Sequence, residues 1–438
     1  MKYDVYFTKA KEQGINELEL LVSTESKLSI GVFRGEIESL SSSTTKSLQG
    51  RGKVGEKVGY VNSENFSIAN VDAFIDQLKE NAKINESKEE CIIFKGSEKY
   101  TKKKVYSKVL SETPLDDKIS LLKDIETRIK AKDSRIVDVE LSYEEQDNET
   151  ILMNSYDLNL KSRSNFCLIY ANVIASTGDE TKTGGDFVVG QDIFAFDIDK
   201  FVDDVTKDAL DQLGGEPCES KKYKAVLSAG VMMNLTNFFI RSASSEQVQK
   251  NTSLLKGKLH ERVASRKLTI EERPLDKTIF YRYFDDEGVA TTNKKNVDKG
   301  ILNTYLYNLA TAKKDGVAST GNGYRGQGKV GVSSVGLSIK PGKKTLEELF
   351  ESVHDGIYIT SVTGLHAGMN ASSGNFSLQA EGYLIKDGKR STPVCLITVA
   401  GNLFKLFNDI VEVGSETKLT FSGYSVPVMI KEIAVSGK

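Results

Sequence analysis

Only three histidines occur in this chain, His260, His354 and His366, and they are widely separated. A histidine-based zinc helix needs two imidazoles about one turn apart, with a glutamate between them to activate water. The nearest approach is LHERVASR, where His260-Glu261 would require a second histidine at 264 or 265; those positions hold Ala264 and Ser265. That motif fails, and a surface His–Glu dipeptide is the better reading. Cysteine is also sparse. Cys91, Cys167, Cys218 and Cys395 are widely separated and form no CxxC pair, which in a chain this long favours reduced, partly buried thiols over a disulfide framework. An excess of basic residues is missing too. Lys+Arg 59 against Asp+Glu 61 leaves a net charge of −2, which argues against a nucleic-acid binder. The one basic run, Lys99 to Lys104, reads as a solvated loop. Long apolar runs are absent: AVLSAGVMMNLTNFFI is too short and polar for a bilayer span. The opening MKYDVYFTKAKEQG carries Asp4 and Glu12 where a signal peptide would be apolar. These features together point to the cytoplasm and to no membrane partner.

What is present suits a folded chain rich in turns. Hydrophobic residues make up 39% and charged residues 27%, with Gly 36 against Pro 6, so a core and many tight turns are expected. The 438 residues suggest two or three domains. A first helix ends at Gly14. The alternating segments ELELLVST, KLSIGVFRGEIESL and KVGYVN then predict a small antiparallel sheet. Asn70 is placed to cap VDAFIDQLKENAKI, whose Val71, Phe74, Ile75, Leu78 and Ala82 form one face. Thr113-Pro114 opens a second helix with a stripe of Ile119, Leu122, Ile125 and Ile129. VDVELSYEEQ, ETILMNSY, LNLKSRS and FCLIYANVIAS read as a meander, and DKFVDDVTKDALDQL as a closing helix. GGEPCESKKY, residues 214–223, is the best boundary. Beyond it lie a buried-type strand, KAVLSA, a largely helical stretch, and a glycine-punctuated strand-rich remainder. The fold class expected is α+β with two domains: residues 1–216, helices with an antiparallel sheet, and residues 217–438, strand-rich.

Three stretches hold polar groups that chemistry could use. Gly321, Gly323 and Gly326 make a G-x-G-x-x-G string, but a strand, KVGVSSVGLSI, follows where dinucleotide binding needs a helix. A loop or hairpin is the better reading, in which Arg325 could meet an anion. Asp285-Asp286-Glu287 precede Gly288; adjacent carboxylates can bind a cation or shift a pKa, although D-E-G is ordinary turn chemistry. GLHAGMNASSGNFS offers Gly364, Gly368 and Gly374 for close backbone approach, and Asn370, Ser372, Ser373 and Asn375 as hydrogen-bonding groups. His366 is its one group that titrates near neutrality. The following FSLQAEGYLI alternates Phe376, Leu378, Ala380 and Leu384 toward a buried face. A structural cap and a peptide- or partner-contacting loop are equally compatible with this pattern.

SSEQVQKNTSLLKGKLHERVAS, DDEGVAT with GILNTYLYNLATAKKDGVASTGNGYR, GLHAGMNASSGNFSLQAEGYLIKDGK and PVCLITVAGNLFKLFNDI follow one another in the order and spacing of the TldD/PmbA family. The chain resembles that family's PmbA (TldE) branch, strongly over residues 217–438 and in helix–strand layout before that. The resemblance implies a cytoplasmic metalloprotease assembled from TldD-type and PmbA-type subunits, which trims small, extended or unfolded peptides. In the TldD branch a HExxxH helix supplies the zinc ligands and the catalytic glutamate. The corresponding stretch here, GVMMNLTNFFIRSASS at residues 230–245, has neither histidine nor glutamate. The resemblance therefore implies no catalytic or metal residue in this chain, no cofactor of its own, zinc in a TldD-like partner subunit, and a homo- or heterodimer. The family's label as a modulator of DNA gyrase finds no support in the charge balance. The loop residues Gly364, His366, Gly368, Asn370, Ser372, Gly374 and Asn375 are the leading contact candidates, with Asp285, Asp286 and Arg325 behind them. A self-sufficient hydrolase using Asp285, Asp286, Glu287 and His366, or a homodimeric scaffold without peptidase activity, are the alternatives.

Overall fold

The computed structural model describes residues 3–86, 90–326 and 329–438. Six long strands make one antiparallel sheet: β1 (Leu18–Phe33), β2 (Glu36–Val54), β3 (Lys57–Ser63), β4 (Ile136–Asn154), β5 (Asn159–Ser176) and β6 (Thr181–Gly190). Their order across the sheet is β3-β2-β1-β4-β5-β6. Arg34 and Gly35, both at positive φ, turn β1 into β2, as a two-residue hairpin requires. Helices α1 (Asp4–Glu12) and α2 (Val71–Ile84) cover one end of this sheet, while α3 (Lys108–Glu112), α4 (Leu115–Lys130) and α5 (Ile198–Asp211) lie toward the other. The expected stripe of α2 is buried throughout. On α4, Leu122, Ile125 and Ile129 are fully buried, each contributing about 1.5–3 kcal/mol relative to exposure.

Two local expectations are corrected. Asn70 precedes α2 but caps no helix N–H, because its backbone already belongs to a preceding turn; its amide instead donates to the Asn65 carbonyl and side-chain oxygens, both at 3.2 Å. The meander read as four runs is two strands, β4 and β5, and β6 adds a third. The half-exposed polar middle of β4, Glu144 to Thr150, stays extended because ladders to β1 and β5 hold it from both sides.

After β7 (Lys221–Leu227) come α6 (Ala229–Arg241), α7 (Ser245–Gln249), β8 (Ile270–Glu272), β9 (Lys294–Asp298), β10 (Ile301–Leu302) and α8 (Leu309–Asp315). The chain continues through β11 (Gly323–Arg325), β12 (Val330–Val332), β13 (Leu337–Ile339), α9 (Leu346–Val353), β14 (Gly356–Thr363) and α10 (Leu365–Gly368). It ends with β15 (Asn375–Lys386), β16 (Lys389–Asn402), α11 (Leu403–Asn408), β17 (Ile410–Val413), β18 (Lys418–Thr420), β19 (Gly423–Ser425) and β20 (Val428–Ser436). Strands β16-β15-β14-β7-β20 form a sheet that closes on itself where Thr398–Ala400 of β16 meet Ser436–Ala434 of β20. Phe376, Leu378 and Ala380 of β15 point into the main core with α6, and Leu384 packs half-buried against it. The opposite face is covered as well, since Ile385 packs under α9 with Leu349, Phe350 and Val353. Gly382 is required at the β14 contact: a Cβ there would lie 1.9 Å from the Tyr358 carbonyl oxygen. A second sheet, β10-β9-β8-β13-β19-β18, flanks the first, and β11 and β12 form a short hairpin. The fold is thus α+β, with a helix-covered antiparallel sheet followed by a strand-rich half. All four cysteines are free and buried, and no described helix is long and apolar enough to cross a membrane.

The stretch from Glu90 to Ser107 forms no strand, yet it ties the two halves together. Tyr100 Oη donates to the Gly288 carbonyl at 2.6 Å, and Lys103 N donates to Tyr281 Oη at 2.6 Å. Beside it, Leu21, Leu152 and Leu160 of the first sheet pack on Tyr281, Tyr283 and Phe284.

Candidate functional site

The acidic turn and the glycine string, distant in sequence, are one structure. Asp285 N donates to Val289 O at 2.9 Å, and Gly288 takes positive φ, 84°, to close the turn. One backbone bond and two carboxylate acceptors then zip the turn to β11: Asp286 N donates to Gly323 O at 3.0 Å, Gly323 N to Asp285 Oδ2 at 2.8 Å, and Arg325 N to Asp286 Oδ2 at 2.7 Å. Gly323 is needed for this approach. A Cβ on it would lie 2.9 Å from Asp285 Oδ2 and 2.9 Å from Glu287 Oε2. Far from an ordinary exposed turn, Asp285, Asp286 and Glu287 are all buried.

The first sheet completes the cluster. Arg51 of β2 donates to Glu19 Oε1 of β1 at 2.7 Å, to Glu287 Oε1 at 3.1 Å and to the Ile92 carbonyl at 3.1 Å. Arg325 donates to Glu19 Oε1 and, at 3.1 Å, to the Asp286 carbonyl. Arg282 pairs with Asp286, and Glu287 Oε2 accepts from Leu309 N at the start of α8 at 2.7 Å. Four carboxyl groups (Glu19, Asp285, Asp286, Glu287) therefore face three guanidinium groups (Arg51, Arg282, Arg325), an excess of one negative charge only when every carboxyl is ionised. Burial, then the neighbouring Glu287 charge, pushes the Asp285 carboxyl up to about 7 against the backbone bonds it accepts. Burial likewise raises Glu287, with Arg51 opposing. Burial works against the Arg51 charge, but Glu19 and Glu287 hold its pKa well above the ordinary arginine range. Glu19 Oε2 and the Nε and Nη1 atoms of Arg325 have no hydrogen-bond partner among the described residues. Such a network fixes the first sheet to the second half, and breaking it would strand buried charge.

The loop after β14 is built differently. Gly364 enters it at positive φ, 79°, and α10 leads to the buried Met369. Asn370 Oδ1 accepts from Ser372 N at 3.0 Å and Ser373 N at 2.9 Å, the self-bonded turn that asparagine favours. Gly374 N donates to Asn370 O at 2.8 Å, and Asn402 Nδ2 donates to Ser373 O and Asn375 Oδ1, both at 2.9 Å. Gly368 sits where a Cβ would meet Ser377 O at 2.2 Å. Much of the loop's backbone is thus held by Asn370 and Asn402, while His366, Asn370, Ser372 and Asn375 remain exposed. A recess between this loop and α6 is lined by Phe238, Arg241, Met369, Asn370 and Phe404. No hydrogen bond or ion pair among the described residues joins the loop to the acidic cluster, so the structure gathers Asp285, Asp286 and Arg325 at one place and the loop residues at another. Sequence reasoning missed Glu19 and Arg51. Their signal was a charge inside an otherwise apolar or glycine-flanked strand, Glu19 between Leu18 and Leu20, Arg51 between Gly50 and Gly52.

The donor set does not fit zinc at α6. That helix presents Met232, Met233, Thr236, Phe239 and Ile240 to the core, none of them a zinc ligand. Elsewhere His354, Asp355 and Asp387 bring ligand atoms within 4.8 Å of one another, but all three are exposed, an arrangement common on surfaces.

Two family models match the chain: the PmbA/TldA metallopeptidase central domain over residues 108–213 and the PmbA/TldA metallopeptidase C-terminal domain over residues 220–437. The chain belongs to the PmbA/TldD family. Within the family, it is 28% identical over 417 residues to a metalloprotease of Methanocaldococcus jannaschii, covering 90% of each chain. It is 31% identical to a PmbA homolog, a metalloprotease of Buchnera aphidicola, over 60% of this chain and 58% of that relative. Among solved structures, a Thermotoga maritima protein carrying the name modulator of DNA gyrase superposes with TM-score 0.91 at 28% identity, covering 99% of both chains. TldE of Thermococcus kodakarensis shares the fold at TM-score 0.90, 21% identity and 98% coverage of each chain.

Proposed function

We propose that this chain is the non-catalytic, TldE-like subunit of a two-component zinc metallopeptidase that processes small or unfolded peptides, with the metal carried by a TldD-like partner. The observation that carries the reading is α6. In a metallopeptidase family, the helix that would bear the zinc ligands is here filled by methionine, threonine and phenylalanine side chains committed to the core. Its surface counterpart is the loop from Gly364 to Asn375. Asn370 and Asn402 hold much of the loop's backbone, the side chains of His366 and Ser372 face solvent where a partner could meet them, and the recess beside Arg241 and Asn370 adjoins α6. In this reading the loop contacts the partner subunit or an extended peptide, and the acidic cluster is a structural clamp. Metal analysis tests it. The purified chain should hold far less than one equivalent of zinc after incubation with excess metal and desalting, while a mixture with its TldD-like counterpart should retain it. One tightly held equivalent in the isolated chain would sink the proposal.

A further inference from the structure

An open cavity of about 160 Å³ lies where the sheet of the strand-rich half closes on itself. β16 meets β20 only where Thr398–Ala400 face Ser436–Ala434. Beyond Ala400 the chain soon turns away into α11, and the ladder from β20 to β7 is broken between Ile430 and Ile433. The parting strands leave the cavity between them. Its floor is Phe376, Leu406 and Ile433, all members of the main core. Gly401 gives the Phe376 ring its room, for a Cβ there would lie 3.0 Å from Phe376 Cζ. An apolar floor with a few polar groups converging above it is the common form of a small-molecule site.

Charge selects the occupant. Lys222, Lys405, Asp409 and Glu432 line the cavity too. Lys222 pairs with Glu432 at 2.8 Å and Lys405 with Asp409, which Lys431 also reaches at 3.3 Å. Lys222 holds the Glu432 carboxyl below its ordinary value. Burial opposes the Asp409 charge, but Lys405 and Lys431 hold that carboxyl below its ordinary value as well. Both lysines of the rim are exposed, and such pairs are worth little, so a ligand's own charges can replace one partner at small cost. An anion alone would face Asp409 and Glu432, and a cation alone Lys222 and Lys405. A molecule carrying both charges beside an apolar group matches rim and floor together. Size restricts that group to one side chain, since a cavity of about 150 Å³ is filled by a single benzene. We propose that this cavity binds a free α-amino acid with an aliphatic side chain, its carboxylate at Lys222 and Lys405, its ammonium at Asp409 and Glu432, and its side chain on Phe376, Leu406 and Ile433. This rests on the cavity alone and does not depend on the peptidase reading.

Calorimetric titration of the full chain with L-leucine should show saturable binding at a single site. N-acetyl-leucine lacks the ammonium and leucinamide the carboxylate. Each should bind at least about tenfold more weakly, as the loss of a charged hydrogen bond requires. Glycine, which keeps both charges and lacks the side chain, should also bind more weakly than leucine. Lys405→Gln and Glu432→Gln change exposed side chains and should each weaken leucine binding by a similar factor, with an unchanged circular dichroism spectrum. No saturable binding of leucine overturns the proposal. So does equal binding of either blocked analogue, or an affinity that both variants leave intact. Tighter binding of leucyl-leucine than of leucine overturns it as well, for the ligand would then be a peptide.

Discussion

Replacing Asp285 by asparagine tests the acidic clamp most sharply, because the sign of its effect should change with pH. Burial and Glu287 hold the Asp285 carboxyl at about 7, against an ordinary 3.8. The native state therefore keeps a proton that the unfolded chain releases. Stability from this group is complete below the unfolded value and is lost as pH rises through the native one. Between pH 5 and pH 8.5 that loss is on the order of 3 kcal/mol, taking 1.36 kcal/mol per unit. Asparagine cannot ionise and escapes it. Its side-chain oxygen can still accept from Glu287 N and Val289 N, at 3.0 and 2.9 Å in the native chain. Its NH2, however, faces the Gly323 N–H that Asp285 Oδ2 accepts at 2.8 Å, a mismatch costing about 1–3 kcal/mol. At pH 5 the variant should be the less stable protein by that amount. At pH 8.5 the gap should close or reverse. Urea midpoints of both proteins at the two pH values measure the difference. A gap that stays constant across the range would refute the reasoning, for it would mean that Asp285 is ionised in the native state throughout.

Other consequences follow from the same contacts. Arg51→Ala leaves Glu19 and Glu287 buried without their shared cation and should cost about 3–5 kcal/mol, read as a lowered urea midpoint at neutral pH. Gly323→Ala should destabilise by about 1–3 kcal/mol, since its Cβ would meet both carboxylates at 2.9 Å, whereas Gly326→Ala, with its nearest atom at 4.0 Å, should be nearly silent in the same assay. The native chain should expose no thiol to a chromogenic disulfide reagent and all four after denaturation. Burial pushes the Cys167 thiol up to about 12, which adds chemical inertness to the steric protection. Asn370→Ala removes the acceptor of two backbone N–H groups and should weaken binding to a TldD-like subunit while moving the melting temperature little.

Much of the first half was legible because its signals are local. The stripes of α2 and α4 have the helical period, whereas the Arg34-Gly35 turn lies inside KLSIGVFRGEIESL, which reads from sequence as a single alternating segment. The family order of motifs located the second half. What sequence could not supply depends on distant partners. Glu287 and Arg51 are 236 residues apart, and nothing near D-D-E-G reveals that an arginine from another sheet will bury it. The turn chemistry was recognised correctly while the environment was not. Likewise, strand β4 continues through a polar middle that no periodicity marks, because its neighbours, rather than its own side chains, keep it extended. The glycine string is followed by strand β12 and not by a helix, as read from the sequence. Its actual use, letting β11 approach two carboxylates at Gly323, depends on a partner outside the motif. For the loop from Gly364 to Asn375, sequence offered Asn370 and Ser373 as hydrogen-bonding groups, while the bonds from Asn402 and the exposure of His366 and Asn370 came only with the fold.

Peptidase activity on an unstructured peptide, measured for this chain alone, for a TldD-like counterpart alone and for the two mixed, tests the central claim most directly. The account predicts turnover that requires the TldD-like chain, rises on mixing and persists when the solvent-facing His366 of this chain is replaced by alanine. Turnover by this chain alone, inhibited by a zinc chelator and restored by zinc, would contradict it.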